Sequence, residues 1–258
     1  MDCKEIVSQS NTNIKWLKKL AQKKHRVQSK EFTVENLTTI YDALKSGYDF
    51  KNLFVTQAFI DRNKDKFEYL KKASKAYAWH LIDADINKFY SQLDTPSGIT
   101  AVYKATEATL DKTKSVIYLN GVKDPGNMGN IMRSALAFDV KNVILDETCV
   151  NAYNAKVINA TKDAIFKLNI IEDKQCEWLK SNTEGLPIYA ADAHNGAAIA
   201  DVKAKKPFCL VLGSETHGVS EDIIKMADKS IRIDIESHID SLNVSAAAAI
   251  LLHGLRGK

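Results

Sequence analysis

The chain has 258 residues, of which 45% are hydrophobic, and this is enough for one large domain or two small ones. Charged residues make up 26%, and the net charge of +4 is compatible with a polyanionic partner. Its four cysteines are far apart and form no CxxC pair, which argues against a zinc site or a disulfide framework and favours reduced thiols in the cytoplasm. No apolar signal-peptide core follows Met1, and the longest apolar run, Ala246 to Leu252, is far shorter than the roughly 20 residues that cross a bilayer, so we expect neither export nor a membrane anchor.

The first predicted element is a basic amphipathic helix over residues 11–30, a segment without any acidic residue. Its apolar residues recur at helical spacing and are expected to be buried: Ile14, Leu17, Leu20 and Ala21. Asn11 or Thr12 is placed to cap the first turn. A lysine run is ordinarily only a solvated face, but here five basic residues are candidate RNA contacts: Lys15, Lys19, Lys23, Lys24 and Arg26.

The rest of the first half alternates short apolar runs with helical patterns. EFTVE, NLFVT and YAWH are predicted strands, with helices near residues 36–45 and 60–73, which indicates a small α/β domain. Residues 92–114 contain Pro96, Gly98 and mixed charges without a long periodic segment, so we predict a linker there. The predicted domains are therefore 1–105, which includes the linker, and 106–258.

The second half contains six short β-rich runs separated by helical stretches. They are SVIYLN, NVILD, AIFKLNI, LPIYAAD, FCLVLG and SIRID. This alternation predicts an α/β fold with a parallel sheet that has helices on both faces. Ligands of such sheets bind at the carboxyl ends of the strands.

Three polar loop segments stand where strands of this sheet should end: VKDPGNMGNIMRSALAF, LVLGSETHGVS and IRIDIESHIDSLNVSAAAAILLHGL. Taken singly, each segment contains only turn sequences that are common in loops, and an arginine in the first turns of a helix is usually a surface group. GNMGN is not a GxGxxG fingerprint and there is no Walker A motif, so a nicotinamide-dependent enzyme is disfavoured.

Taken together and in this order, the three segments resemble the motifs of the SpoU/TrmH branch of the SPOUT methyltransferases. DPGNMGNIMRSA, from Asp124 to Ala135, is similar to the first motif. Gly213, Glu215 and Gly218 match the second motif, and SLNVSAA, residues 241–247, matches the third. The amino-terminal half diffusely resembles the small RNA-binding domain, related to certain ribosomal proteins, that many members carry.

This resemblance implies a deep trefoil knot near the end of the chain and a homodimer whose subunits complete each other's sites. It also implies S-adenosylmethionine bound in a bent form, largely through backbone groups. No metal site is predicted. By matching position, the cofactor residues are Leu212, Gly213, Ile233 and Leu242. The polar residues of the implied catalytic set are Asn127, Arg133, Glu215, Ser241 and Asn243.

Arg133 is the expected activator of the ribose hydroxyl. Because a guanidinium effectively never deprotonates in proteins, we predict that Arg133 positions the hydroxyl and a phosphate and is not a general base, with Asn127 orienting it. Three residues depart from the family pattern. Thr216 and Asp163 stand where glycine is usual, and Asp234 stands where proline is common. We interpret all three as tuning of loop shape or of the fit to RNA, and not as a loss of activity.

The predicted function is the transfer of a methyl group from S-adenosylmethionine to a ribose 2′-hydroxyl of structured RNA. The separate amino-terminal domain favours ribosomal RNA over transfer RNA. One alternative is a non-catalytic RNA-binding protein on the same fold, and another is a nucleotide-dependent enzyme for small molecules. The basic first helix and the absent fingerprint argue against the latter.

Overall fold

The computed structural model describes residues 2–75, 78–105, 108–181 and 185–256. The chain divides into two compact units. The amino-terminal unit is Met1–Glu107 with Tyr153–Phe166, and the carboxy-terminal unit is Ala108–Ala152 with Lys167–Lys258. The predicted boundary near residue 105 adjoins residues 106–107, which lie outside the described ranges, so the boundary stays a prediction. The sequence did not predict that Tyr153–Phe166 groups with the amino-terminal unit.

Strands and helices are numbered in chain order over the described residues. The strands are β1 Asp2–Ile6, β2 Glu31–Val34, β3 Asn52–Thr56, β4 Ala78–Ile82, β5 Ile99–Lys104, β6 Val116–Asn120, β7 Asn142–Asp146, β8 Asn169–Asp173, β9 Ile188–Ala191, β10 Ala197–Ala198, β11 Cys209–Gly213 and β12 Lys229–Arg232. The α-helices are α1 Thr12–Lys19, α2 Lys23–Ser29, α3 Leu37–Lys45, α4 Gln57–Arg62, α5 Lys64–Ala73, α6 Ala84–Tyr90, α7 Pro125–Ala137, α8 Ala155–Thr161, α9 Glu177–Ser181, α10 Glu221–Met226 and α11 Val244–Leu255.

The amino-terminal unit has a five-stranded sheet in the order β1-β4-β3-β5-β2. β5 is antiparallel to both of its neighbours, and the other neighbouring strands pair in parallel. The predicted strands EFTVE, NLFVT and YAWH are confirmed as β2, β3 and β4, although Tyr77 of the last run lies outside the described residues. The helix predicted near residues 60–73 is two helices, α4 and α5, with Asn63 between them.

The linker prediction was wrong for residues 99–104, because they form β5. This strand lies between β3 and β2, and its residues Ile99 to Tyr103 are all buried. Its short apolar run, ITAVY, is set among threonines, glycine and charges, which hid it in the sequence. The strand β1 and the helix α6 were also not predicted.

The predicted first helix is two helices, α1 and α2, with a break after Leu20. Asn11 caps α1, since its side chain accepts a hydrogen bond from Asn13 N at 2.8 Å. Ile14, Leu17 and Leu20 are buried, as predicted. Ala21 is exposed, which contradicts the prediction, because it lies in the break and not on the buried stripe.

Arg26, one of the five candidate RNA contacts, is buried. Its side chain is only 5% exposed, and Nη1 donates to Leu20 O at 2.9 Å and to Ala21 O at 2.7 Å. Burial lowers the pKa of Arg26 from its ordinary value. Arg26 therefore ties α2 to the end of α1, and we remove it from the predicted RNA contacts.

The carboxy-terminal unit has a seven-stranded parallel sheet in the order β10-β12-β9-β11-β6-β7-β8. On one face, Leu179 of α9 and Ile223 of α10 pack against strand residues that include Tyr118 and Val211. Alternate strand residues point to the other face, where α11 packs against β11 and against α7. The predicted α/β fold with a parallel sheet and helices on both faces is confirmed, and the knot stays a prediction.

One predicted strand of this unit is displaced. In the run AIFKLNI, residues up to Phe166 belong to the 3₁₀ helix Lys162–Phe166, and the strand begins only at Asn169.

β6 and β11 are neighbouring strands, and the order in which the chain adds strands to the sheet reverses between them. From β6 the chain passes through α7 to β7 on one side, and from β11 it passes through α10 to β12 on the other side. Ligands of open α/β sheets bind in the crevice at such a point. Asn120 of β6 is aligned with Gly213 of β11 across it, so the loops that follow these two residues line the expected crevice.

Candidate active site

The first polar loop leads into α7, as predicted. Asp124 caps the helix by accepting a hydrogen bond from Asn127 N at 2.7 Å. Pro125 occupies the first helical turn, where a missing N–H has no cost. These two residues fix the start of α7 and place Asn127, which is half-buried, in its first turn.

The second polar loop is a tight turn after β11. Two backbone hydrogen bonds, of 3.1 and 2.9 Å, join Ser214 and Gly218. Gly218 has a φ of +67°, a conformation that glycine adopts without strain. A Cβ atom on Gly213 would lie 1.9 Å from the carbonyl carbon of Gly218. Glycine is therefore required at 213 by the turn itself, and the turn presents the exposed Glu215.

Asn127 joins the three polar loops. Its Nδ2 donates to Glu215 Oε1 at 2.7 Å, and its Oδ1 accepts from Asn243 Nδ2 at 3.0 Å. Asn243 in turn caps α11, because its Oδ1 accepts from Ser245 N at 2.9 Å and from Ser245 Oγ at 2.7 Å. Three residues of the predicted catalytic set, drawn from all three motifs, thus form one hydrogen-bonded chain.

The other two residues of the predicted catalytic set stand apart from this chain. Arg133 and Ser241 are exposed, and neither side chain has a hydrogen-bond or ion-pair partner in the part of the chain that the structure describes. Asn127 bonds to Glu215 and Asn243, and no hydrogen bond joins it to Arg133 in the described residues, so Asn127 does not orient Arg133. That part of the prediction was wrong, and Arg133 is left free to meet a substrate.

The predicted cofactor residues lie at the ends of β11 and β12 and at the start of the third motif. Leu212 is buried in β11, and Ile233 and Leu242 are half-buried. Within the described ranges, no backbone hydrogen bond is found for Ile233 or Leu242, so their peptide groups are available to a ligand. These residues fit a ligand that is recognised through backbone groups.

The three departures from the family pattern have local explanations. Thr216 is not among the described residues with positive φ, so a side chain there causes no backbone strain. Asp234 Oδ1 accepts a hydrogen bond from Arg232 Nε at 2.9 Å. Asp163 lies in a 3₁₀ helix, where the preceding Lys162 has the positive φ. The interpretation of these residues as tuning stays a prediction.

Two polar residues at the same sheet edge were missed in the sequence. Asn120 ends β6 and Asp146 ends β7, and their side chains are hydrogen-bonded to each other at 2.6 Å. The available signal was a polar residue at the end of each of two predicted strands, SVIYLN and NVILD, because parallel neighbours bring such residues together.

The remaining predicted contacts lie in the amino-terminal unit. Lys15 and Lys19 of α1 and Lys23 and Lys24 of α2 are all exposed.

No group of three or more His, Cys, Asp or Glu side chains is placed to bind a metal ion in the described ranges. Among the same residues, every helix is too short or too polar to pass through a lipid bilayer.

Comparison with known proteins identifies both halves of the chain. Residues 114–253 match the SpoU rRNA methylase family, and residues 11–101 match the MRM3-like substrate binding domain. A curated relative, the 23S rRNA (guanosine(2553)-2′-O)-methyltransferase RlmP of Bacillus subtilis, is 28% identical over 98% of this chain and 100% of its own length.

Two solved structures have the same fold. A putative RNA methyltransferase of the TrmH family from Porphyromonas gingivalis has a TM-score of 0.83 at 26% identity, covering 96% of this chain and 99% of its own. An rRNA methyltransferase from Sinorhizobium meliloti, solved with AdoMet bound, has a TM-score of 0.84 at 23% identity, covering 98% and 97%.

The fold and the joined polar loops define an RNA methyltransferase with a SPOUT-type catalytic unit. The chain belongs to the SpoU rRNA methylase family. The predicted family, fold class and enzyme class are confirmed.

Proposed function

We propose that the chain methylates a ribose 2′-hydroxyl of ribosomal RNA, with S-adenosylmethionine as the methyl donor. The observation that carries the proposal is the Glu215–Asn127–Asn243 chain of hydrogen bonds, which joins the three family motifs near the point where the strand order reverses. The relative from Bacillus subtilis acts on 23S rRNA, which makes the large-subunit RNA the first substrate to test.

The cofactor supplies an activated methyl group on a sulfonium. The residues that would hold it are Gly213 and Leu212 at the end of β11, with the unpaired peptide groups of Ile233 and Leu242. Because positive charge is neutralised as the new ether forms, a site of low dielectric favours the transition state. The buried end of β11 and the half-buried Ile233 and Leu242 provide such surroundings.

Arg133 positions the RNA in this proposal. Its side chain is exposed and has no partner among the described residues, so its planar fork of donors is free to hold a phosphate and the reacting hydroxyl. Glu215, Asn127 and Asn243 shape the pocket, and Ser241 lies two residues before Asn243 in the third motif. The proton of the hydroxyl then leaves to the adjacent phosphate or to water.

A homodimer is part of the proposal. α7 and α11 pack against each other, and both have an exposed stripe at helical spacing. The stripe on α11 includes Ile250, which is 42% exposed, and the stripe on α7 includes Arg133 and Ala137. Pairing of this surface in two copies would cover the apolar residues and bring Arg133 to the partner's site. Ile250→Glu is expected to give monomers in sedimentation analysis.

The amino-terminal unit supplies RNA affinity in this proposal. The exposed lysines of α1 and α2 lie on helices that carry no acidic side chain of their own, because none occurs from residue 11 to residue 30. The match of residues 11–101 to a substrate binding domain supports this role. The cytoplasmic location stays a prediction that fits a ribosomal substrate.

The test is methyl transfer in vitro. The purified protein is incubated with labelled S-adenosylmethionine and, in separate reactions, ribosomal RNA and transfer RNA. We expect label in ribosomal RNA at one nucleotide whose 3′ bond resists alkaline hydrolysis, as a 2′-O-methyl group requires. Transfer-RNA labelling would move the proposal to the other substrate, and no labelling with any RNA would reject it.

A further inference from the structure

Asn120 connects the ends of three neighbouring strands. Its Nδ2 donates to Asp146 Oδ2, at the end of β7, at 2.6 Å. Its Oδ1 accepts from the backbone N–H of Ser220, in the loop after β11, at 2.9 Å. Asn120 itself ends β6, next to Gly213. A single amide therefore spans the crevice beside Gly213, one of the residues that the proposed function assigns to the cofactor.

The orientation of this amide is fixed by its neighbours. Asp146 is 7% exposed, and its other oxygen accepts hydrogen bonds from Thr148 N, Thr148 Oγ1 and Cys149 N at 2.9, 2.8 and 3.0 Å. A carboxylate is only an acceptor, so Asn120 has to present its NH₂ group to Asp146. Its carbonyl oxygen is then the only part left for Ser220.

The bond to Ser220 anchors residues 214–220, here named the Glu215 loop. The loop is closed on itself by the backbone pair between Ser214 and Gly218. Its backbone at Gly218 and Val219 lies directly against Gly213, where a Cβ atom would be within 2.0 Å of Val219 N. Asn120 is the side chain that holds the far end of this loop to the sheet.

We propose that Asn120 is a positioning residue for methyl transfer. By donating to Asp146 and accepting from Ser220, it fixes the Glu215 loop, and through that loop the Glu215 carboxylate that binds Asn127. Asn120 acts through other groups and touches no reacting atom. Its consequence for catalysis rests on the proposed function, whereas its effect on the loop does not.

The principal test replaces the donor by an acceptor. In Asn120→Asp, two carboxylates would face each other across the 2.6 Å contact, and the Glu215 loop should be released. We expect faster hydrogen exchange at residues 214–220 and an affinity for S-adenosylmethionine lowered about 10- to 100-fold, the range for removal of a hydrogen bond to a charged group. The KM for the cofactor should rise in parallel.

A double variant reverses the polarity of the same pair. In Asn120→Asp with Asp146→Asn, the new amide at position 146 can donate to the new carboxylate at position 120. The second carboxylate oxygen can still accept from Ser220 N. Slow exchange in the loop and most of the cofactor affinity should return, because the bond between positions 120 and 146 is restored.

Asn142→Asp is the matched control. Asn142 is fully buried at the amino end of β7, at the opposite edge of the same sheet. Its side chain is also fully engaged, with Asp111 N at 3.1 Å, Asp111 O at 2.8 Å and Asn169 Nδ2 at 3.1 Å. The same substitution there should lower thermal stability and leave exchange in the Glu215 loop and cofactor affinity unchanged at temperatures where the protein is folded.

Calorimetry without RNA and hydrogen exchange decide the inference. Loss in Asn120→Asp, recovery in the double variant and no loss in Asn142→Asp would support it. Wild-type exchange in Asn120→Asp, no recovery in the double variant, or an equal loss in the control would overturn it. If Asn120→Asp does not fold, Asn120→Ala removes both bonds without adding charge and is judged by the same criteria.

Failure of the proposed function would look different. A wild-type protein that methylates no RNA would reject the proposed function, while exchange at residues 214–220 would still decide whether Asn120 fixes the loop.

Discussion

Both units have parallel strands that end at one edge of a sheet, yet the polar residues there behave differently. In the carboxy-terminal unit, Asn120 bonds to Asp146 and to the loop after β11, so its contacts run between loops. In the amino-terminal unit, Thr56 Oγ1 accepts from Phe59 N at 3.2 Å and Asp83 Oδ1 accepts from Ile86 N at 2.6 Å. Both of these residues cap the helix that follows their own strand.

The difference is that the polar residues at the strand ends of the carboxy-terminal unit bond across loops, whereas those of the amino-terminal unit bond within one loop and its helix. In the amino-terminal unit, the cleft at the carboxyl ends of the strands is lined by Ile6, Val7 and Ile82 together with the capping residues Thr56 and Asp83. Its polar side chains, which include Glu5, Thr56 and Asp83, are not hydrogen-bonded to one another in the part of the chain that the structure describes. The chemistry belongs to the carboxy-terminal unit, and the amino-terminal unit contributes charged surface.

The largest expected effect is at Gly213. Gly213→Ala places a methyl group where the backbone of Gly218 and Val219 now lies, with distances near 2.0 Å that no side-chain rotation relieves. The Glu215 loop has to move, and binding of S-adenosylmethionine and methyl transfer should both be abolished. Titration calorimetry and a methylation assay check this.

Gly218→Ala is the matched control for Gly213→Ala. It lies in the same turn with φ +67°, but a Cβ there has nothing within 4 Å. The cost should be limited to backbone strain of about 1 kcal/mol, so cofactor binding should be weakened and not abolished. Equal behaviour of the two variants would contradict the steric explanation.

The next effect in size is at Arg133. Lysine keeps the positive charge but loses the bidentate geometry, so Arg133→Lys should lose most activity while cofactor affinity barely changes. If Arg133 were instead a general base, the lysine variant, with an ordinary pKa of about 10.4, should regain rate as the pH rises toward that value. Single-turnover rates across pH distinguish these cases, and recovery at high pH beyond the rise in wild type would reject the positioning role.

Deleting residues 1–105 tests whether the carboxy-terminal unit binds the cofactor without the amino-terminal unit. The predicted cofactor residues all lie in the carboxy-terminal unit, so the fragment should bind S-adenosylmethionine with little loss. Tyr153 would no longer pack against Phe32, nor Phe166 against Tyr103, each at a centroid distance of 4.6 Å in the whole chain. Residues 153–166 should therefore exchange hydrogen rapidly in the fragment. Full protection there, or loss of cofactor binding, would count against this division.

A smaller effect is expected from the lysine surface. Replacing Lys15, Lys19 and Lys23 by Gln should weaken RNA binding and flatten its salt dependence, by about 0.7 to 0.9 in logarithmic slope for each phosphate that is no longer neutralised. Cofactor binding should stay unchanged.

The matched control for the lysine surface removes three exposed lysines from the same unit: Lys64, Lys72 and Lys75. The change in net charge is equal. If both triple variants alter the slope equally, the effect is one of overall charge and not of the α1–α2 surface.

The sequence predicted the catalytic unit more completely than the amino-terminal one. The three motifs located α7, the turn after β11 and the cap of α11, because each has a glycine, proline or asparagine that local geometry requires. The bonds from Asn127 to Glu215 and Asn243 were not predictable, since they join residues 88 and 116 positions apart.

The failures in the amino-terminal unit have a common cause. β5 is short and lies next to charged, threonine-rich sequence, and Arg26 resembles its lysine neighbours until its hydrogen bonds to the backbone of Leu20 and Ala21 are seen. In both cases, burial is decided by packing against residues that local periodicity does not reveal.

The smallest effect is expected at Glu35, a buried carboxylate that can be compared with the buried Asp146. Asp146 accepts hydrogen bonds from four donor groups, whereas Glu35 of the amino-terminal unit, 5% exposed, accepts from Ser91 Oγ at 2.5 Å and Gln92 N at 3.2 Å. Burial raises the pKa of Glu35 above its ordinary value, and these two hydrogen bonds offset the rise only in part.

Because the folded-state pKa of Glu35 is above the unfolded one, its contribution to stability is fully present below the unfolded pKa and is lost as pH rises through the folded pKa. Glu35→Gln removes this loss and keeps an acceptor for Gln92 N. The variant should therefore be more stable than wild type at neutral pH, by less than about 1 kcal/mol, and the gain should vanish near pH 4. With Trp178→Phe in both proteins, the fluorescence of Trp16 and Trp79 during urea unfolding reports the amino-terminal unit alone. A gain that grows as the pH falls would show that Glu35 is stabilised as the carboxylate.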